Sequence, residues 1–184
     1  MGTVALPPWP AVPPAHGPVV LRAFADGDAE VARELSTDAY VPLIGTLPAS
    51  ATTEEAQEWI ARQRGRWAEG AGFSFAVARA DTGRAVGFAG LWLAQLPQGR
   101  AAAGYAIAPG HRGQGLASAA LRALTGFALT LPGLHRIELH IEPWNTGSLR
   151  TAERAGYRRE GLLRSHQEIG GRRRDMVLYA AVHD

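Results

Sequence analysis

Apolar positions recur along this chain with two periods, and each change of period marks an element. Val19-Val20-Leu21-Arg22-Ala23-Phe24 reads as a strand, and Asp26 or Asp28 then caps a helix with Val31, Ala32, Leu35 and Ala39 on one face. Pro42 ends it, and 40–50 is irregular and apolar. Thr52-Thr53-Glu54-Glu55 has the form of a capping box, opening a helix with Ala56, Trp59, Ile60, Gln63 and Trp67 on one face. Residues 73–79 and 85–93 read as strands joined by the turn Asp81-Thr82-Gly83. A fourth strand carries Ala103, Tyr105 and Ile107 and stops at Pro109-Gly110; Ala117, Ala120, Leu121, Leu124, Ala128 and Leu131 then return to helical spacing. Over 134–142, Ile137, Leu139 and Ile141 alternate with Arg136, Glu138, His140 and Glu142, up to Pro143. Asn145-Thr146-Gly147-Ser148 opens a helix running to Ala155 and closed by Gly156. Strands over 157–165 and 172–182 meet across Gly170-Gly171. The sum is an α/β chain with a mixed α+β order and seven strands.

Between the third of the antiparallel-looking strands and the helix after it lies Arg112-Gly113-Gln114-Gly115-Leu116-Ala117. Glycines there clear side chains from the first helical turn, where backbone N–H groups lack intrahelical partners, and so form an anion seat. No Gly-Lys-Ser/Thr follows, as a nucleoside triphosphatase would need, and no third glycine, as a dinucleotide fold would need.

Composition narrows the chemistry. The absence of cysteine excludes disulfides, thiolate metal sites and cysteine nucleophiles, and fits a reducing cytoplasm. No apolar run approaches the roughly 20 residues that span a bilayer, so no membrane partner is expected. All 19 basic residues are arginine, and the formal charge is only +2. Their one cluster, Arg172-Arg173-Arg174, sits beside a Gly-Gly turn and reads as a solvated hairpin end, which argues against a nucleic-acid partner. Prolines 7, 8, 10, 13 and 14 make residues 1–18 an irregular lead-in, leaving 19–184 as one domain. The histidines show no metal-ligand spacing, and no metal is expected.

The loop matches the Arg/Gln-x-x-Gly-x-Gly/Ala signature of the GNAT acyltransferases. Arg136-Ile137-Glu138, Pro143, Asn145, Ser148, Gly156-Tyr157, Glu160-Gly161 and 175–179 resemble the branch containing the ribosomal-protein N-terminal acetyltransferases. The resemblance implies the GNAT fold, with a mostly antiparallel seven-stranded sheet in which the parallel strands around Ile107 and Leu139 splay apart. It implies acetyl-CoA, or another acyl-CoA, as co-substrate. The pantetheine would run along Ala106, Ile107 and Ala108, and the pyrophosphate would lie on Arg112, Gly113, Gln114, Gly115, Leu116 and Ala117, with Asn145 and Ser148 nearby. The partner is then an amine acceptor, a protein N-terminus or a small molecule, and a homodimer is allowed.

The resemblance also makes Ser148 the proton donor to the leaving thiolate; the competing reading is that Ser148 and Asn145 only cap their helix. A tyrosine used by some relatives falls on Ala152 here. His140, with an ordinary pKa near 6.5, and Glu138 are the candidate bases, with Glu142 on the same strand face; alternatively all three are solvated. A second family carboxylate falls on Gln167, which cannot take a proton, and His166 or Glu168 could substitute. The function implied is transfer of an acyl group, acetyl first, to a primary amine by direct attack in a ternary complex. The rival is a silent acyl-CoA-binding module acting as sensor or partner subunit.

Overall fold

The computed structural model describes residues 6–183. The lead-in expected over 1–18 and the domain expected over 19–184 therefore extend, at 1–5 and 184, outside the described residues. In chain order the elements are β1 (Ala15–His16), β2 (Val19–Arg22), α1 (Ala29–Leu35), α2 (Val41–Ile44), α3 (Thr53–Ala68), β3 (Gly72–Arg79), β4 (Ala85–Trp92) and β5 (Arg100–Ile107). Then follow α4 (Leu116–Ala128), β6 (Arg136–Ile141), α5 (Thr146–Arg154), β7 (Arg158–Ile169) and β8 (Arg172–Val182).

One sheet holds eight strands in the order β1-β2-β3-β4-β5-β6-β8-β7. The expected number was seven. The extra strand comes from the proline-rich lead-in, where Ala15 and His16 turn at Gly17 (φ +53°) and pair antiparallel with Val20 and Val19. Nothing apolar announces so short a strand. Trp9, from the same segment, lies 5.7 Å from Phe73 and 4.8 Å from Phe75, so the lead-in closes over one end of the core.

Helices cover both faces of the central strands, which explains why β3 is apolar nearly throughout rather than alternating. On one face Phe73, Phe75, Val77 and Leu91 pack with Leu121 and Leu124 of α4 and Ala152 of α5. On the other, Ala76, Ala85 and Ala108 pack with Val31, Leu35, Trp59 and Ile60 of α1 and α3. The capping box forms: Thr52 Oγ1 accepts from Glu55 N at 3.2 Å, and Glu55 Oε2 accepts from Thr52 N at 2.8 Å. Asp28 behaves otherwise. It stands before α1 but spends its carboxylate on Ala25 N and on Arg22 Nη1, both 2.8 Å away, instead of on the helix. Helix α1 ends at Leu35, leaving Ala39 exposed, and α4 ends at Ala128, short of Leu131.

All neighbouring strands are antiparallel except β5 and β6, whose parallel register covers only Arg100–Arg136, Ala101–Ile137 and Ala102–Glu138. Beyond those pairs β5 stays with β4 up to Ile107, and β6 stays with β8 up to Ile141. The sheet thus opens between 103–107 and 139–141. Backbone groups facing that gap lack a ladder partner, and a buried unpaired group costs about 1–3 kcal/mol. The opening positions everything that follows.

Candidate active site

A cavity of about 570 Å³ runs from the mouth of α4 into this opening. Tyr105, Ala106 and Ile107 of β5 form one wall, and Trp144, Asn145, Ser148 and Thr151 form the other. Arg112, Gly113, Gly115, Leu116 and Ala117 lie at the loop end, and Tyr40, Val41 and Ile44 close the opposite side. A smaller hollow of about 230 Å³ beside α1 is lined by Asp28, Glu30, Glu34 and Arg84. Its ions are committed: Asp28 to Arg22, Glu30 to Arg84, and Glu34 to Gly110 N at 2.7 Å.

The loop end is built to leave amides bare. Helices α3 and α5 begin under capping side chains, Thr52 and Asn145, whereas α4 begins at Gly115 with none. Gly113 and Gly115 both have positive φ, +76° and +74°, and a Cβ at either would meet nothing within 4 Å. Backbone conformation and an open approach, rather than crowding, therefore demand glycine. A helix N-terminus with free N–H groups carries positive potential toward the cavity, which fits a diphosphate.

Arg112 does not point its charge at that seat. Its Nε donates to Ile107 O at 2.9 Å and its Nη1 pairs with Asp38 Oδ2 at 2.8 Å, pinning the loop to β5 and to the segment before α2. Burial pushes the Asp38 carboxyl up, but the N–H groups of Val41 and Tyr40 and the Arg112 guanidinium outweigh it and hold its pKa below the usual value. Gln114 turns outward to Arg79 at 3.1 Å, and Ala108 is fully buried against α1 and α3, so neither lines the cavity.

On the α5 side, Asn145 Oδ1 accepts from Ser148 N at 3.2 Å, so Asn145 does cap its helix. Ser148 lines the cavity, and its carbonyl accepts from the Tyr105 hydroxyl at 3.4 Å. Burial raises the Tyr105 pKa against the opposing pull of the Ser148 and Thr151 side chains, keeping the phenol protonated. Three hydroxyl-bearing residues thus converge where the β5–β6 gap begins. Ala152 is fully buried in the core.

The candidate bases lie elsewhere. Ile137, Leu139 and Ile141 face α4 and α5, so Glu138 and His140 occupy the opposite face of β6 and do not line the cavity. Glu138 is bound by Arg136 Nε at 2.6 Å, and Arg136 also binds Glu160. His140 stacks on His166, with ring centroids 4.9 Å apart and planes 12° apart. Burial lowers the His140 pKa, and the neighbouring His166 lowers it further. His166 reaches that position because β7 loses register between Leu163 and Gln167, with Ser165 at φ +49°.

Glu142, for which a place in a base relay and a solvated position both stood open, is only 4% exposed, which removes the solvated reading for this residue. Its carboxylate faces the Tyr40 hydroxyl, and Arg174 Nε lies 3.6 Å away. Burial and that carboxylate push the Tyr40 pKa up. Tyr40 also meets Trp144 edge-on at 4.9 Å, across the cavity mouth. Sequence reasoning did not single out Tyr40, Tyr105 or Trp144. Tyr105 stood inside the signature strand, but no spacing relates Tyr40 to residues a hundred positions on.

Comparison with known proteins matches the geometry. Residues 19–158 match the family model described as the acetyltransferase (GNAT) domain. The chain belongs to the GNAT acetyltransferase family. Over 162 residues it is 28% identical to the uncharacterized N-acetyltransferase p20 of Bacillus licheniformis, covering 88% of this chain and 91% of that one. Mycobacterium smegmatis RimJ, in complex with CoA-disulfide, has a TM-score of 0.77 at 26% identity, covering 92% of this chain and 88% of that one. RimL, a ribosomal L7/L12 alpha-N-protein acetyltransferase in complex with coenzyme A, has the same fold: TM-score 0.77, 19% identity, 93% and 97% covered. This GNAT chain is accordingly an acyl-CoA-dependent acetyltransferase. Among the described residues no helix is long and apolar enough to cross a membrane, and no group of three or more His, Asp or Glu is placed to hold a metal ion.

Proposed function

We propose that this GNAT chain moves an acyl group, acetyl first, from acyl-CoA to a primary amine by direct attack within a ternary complex. The observation that carries the reading is the single cavity joining the uncapped mouth of α4 to the break in the β5–β6 ladder, with Ser148 on its wall. The bare amides of α4 receive the diphosphate, and the unpaired backbone of 105–107 receives the pantetheine amides. The same backbone N–H groups polarise the thioester carbonyl. Ser148 gives a proton to the departing thiolate. A cytoplasmic setting, where CoA thioesters are held, goes with this reading.

The amine enters from the far face of the sheet, past Tyr40 and Trp144. An α-amine, with a pKa of about 7.7–8.0, is already partly neutral near pH 7.4, whereas a lysine at about 10.4 needs a stronger base. The Tyr40 hydroxyl, backed by the buried Glu142 carboxylate, takes the amine proton by relay more directly than His140 or Glu138, which serve only through intervening water. RimL's action on a protein α-amine puts N-terminal peptides first among acceptors, ahead of small amines. The test is thiol release from acetyl-CoA over a panel of N-terminal peptides, amino acids and polyamines. Amine-dependent release supports transfer. Tight CoA binding without release by any amine would instead favour the silent module.

A further inference from the structure

We infer that Arg174 selects the acceptor: the amine this chain acylates carries a carboxylate one or two carbons from its nitrogen, and the Arg174 guanidinium binds that carboxylate at the acceptor mouth. The inference rests on the acyl-transfer reading above and adds to it the chemical class of the amine. Arg172-Arg173-Arg174, a single hairpin-end cluster in the sequence, is divided by the fold. Alternation along β8 puts Arg173 on one face of the hairpin, where its Nε donates to Ser165 Oγ at 3.4 Å, and Arg172 and Arg174 on the other. That other face is shared with Glu142. Leu178 lies opposite His140, so Arg174 and Glu142, each an even number of residues away, follow on the same side.

Arg174 stands at the acceptor side of the cavity. Its Nε lies 3.6 Å from Glu142 Oε1, and the Glu142 carboxylate faces the hydroxyl of Tyr40, a residue of the cavity wall. At 3.6 Å the contact with Glu142 is an ion pair without a hydrogen bond, and the buried Nε has no hydrogen-bond partner among the described residues. The hairpin tip agrees with this placement: a Cβ at Gly170 would meet Leu43 of α2 at 3.8 Å, next to Ile44 on the cavity wall. The Arg174 side chain is 42% exposed and that of Glu142 only 4%. Asp38, the one acid lining the cavity, is held by Arg112. An arriving acceptor therefore meets an accessible cation whose hydrogen-bonding capacity is unspent.

Distance sets how far the carboxylate stands from the amine. From the Tyr40 hydroxyl through the Glu142 carboxylate to Arg174 is one hydrogen bond and one 3.6 Å contact, which places the guanidinium within about 9 Å of the hydroxyl. An amine bonded to that hydroxyl and a carboxylate bonded to that guanidinium each take about 2.8 Å of the span, leaving room for one or two carbons between the two groups. A free α-amino acid has this form through its own carboxylate, and a protein N-terminus has it through an aspartate side chain at the first residue. Either presents two oxygens to which a guanidinium donates in parallel. A polyamine brings only positive charge to an exposed cation and is disfavoured.

Thiol release from acetyl-CoA tests this with two matched pairs of acceptors on the parent, R174Q and R174K: a peptide beginning with Asp against the same peptide beginning with Asn, and glycine against glycinamide. The acidic-to-neutral ratio of kcat/KM should fall about 10- to 100-fold from parent to R174Q in at least one pair, the worth of one or two charge-assisted bonds. Comparing parent with variant cancels the basicity of the amines themselves. The loss should lie in the KM of the acidic acceptor, with the neutral acceptor unchanged. A response of the peptide pair marks a protein N-terminus as the source, and a response of the glycine pair a free amino acid. R174K keeps the charge beside Glu142 without the fork and should lose part of the ratio; it carries the test if circular dichroism shows R174Q unfolded. A ratio that the variant leaves within about twofold in both pairs overturns the inference while acyl transfer stands, as does faster turnover of spermidine than of either acidic acceptor. A parallel loss for acidic and neutral acceptors also overturns it, because Arg174 then acts only through Glu142. A parent from which no amine releases thiol overturns the acyl-transfer reading itself.

Discussion

Replacing Gly115 by alanine separates backbone strain from ligand recognition, because the same fold contains a matched control. Gly115 has φ +74° and Gly83, in the β3–β4 turn, has φ +69°; a Cβ at either meets nothing within 4 Å. An L-residue in this left-handed region costs about 1–2 kcal/mol. Each single substitution should therefore lower stability by about 1 kcal/mol, a melting shift of about 2–4 °C for a chain of this size. Only at 115 does the new methyl project beside the uncapped amides of α4. Losing one N–H bond to a charged phosphate is worth about 1.5–3 kcal/mol. Kd for CoA should thus rise about 10- to 100-fold in Gly115→Ala and stay within about twofold in Gly83→Ala. Differential scanning calorimetry and titration calorimetry on the three proteins read both quantities. Equal CoA affinity in parent and Gly115→Ala, with the melting shift present, would remove the mouth of α4 from the site.

Ser148→Ala keeps the backbone N–H that Asn145 caps, so the helix should persist; turnover with the best acceptor should fall about 100-fold while Kd for CoA stays within about twofold. Unchanged turnover would leave Ser148 a wall residue. His166→Ala removes a neighbouring charge and opens His140 to water, so NMR titration should show the His140 pKa rising toward its ordinary value; no change would mean that the stacked pair is not coupled. Asp28 has its pKa lowered in the fold: burial opposes ionisation, but Arg22 and the Ala25 N–H more than offset it. Its stabilisation is present above the unfolded value near 3.9 and is lost as pH falls through the lower folded value. Asp28→Ala should cost about 2–3 kcal/mol in urea unfolding at pH 7 and narrow to little at pH 2–3; an equal cost at both pH values would place the effect in packing.

The chain's sequence determined whatever local chemistry governs. Helix starts at Thr52 and Asn145 follow from one side chain reaching the N–H three residues on, and the α4 seat follows from two glycines that alone tolerate a left-handed backbone. The family signature, Arg112 to Ala117, is contiguous for that reason, because the bare amides at one helix start come from successive residues. Asp28 shows where local reading failed: a residue fit to cap its helix was drawn off by Arg22, whose guanidinium is also held by Gly83 O in the turn between β3 and β4.

Tertiary structure decided which faces meet across the gap. Alternation along β6 put Glu138, His140 and Glu142 on one face, but only the packing of the segment around Tyr40 buried Glu142 while leaving His140 stacked against a bulge two strands away. Tyr40 and Glu142 lie far apart in the chain, and Arg112 acquires its partner Asp38 across a similarly long separation. Pairings of that kind leave no period or spacing in the sequence. They depend on where the sheet opens, and the sheet opens because β5 and β6 share three register pairs before each follows its antiparallel neighbour.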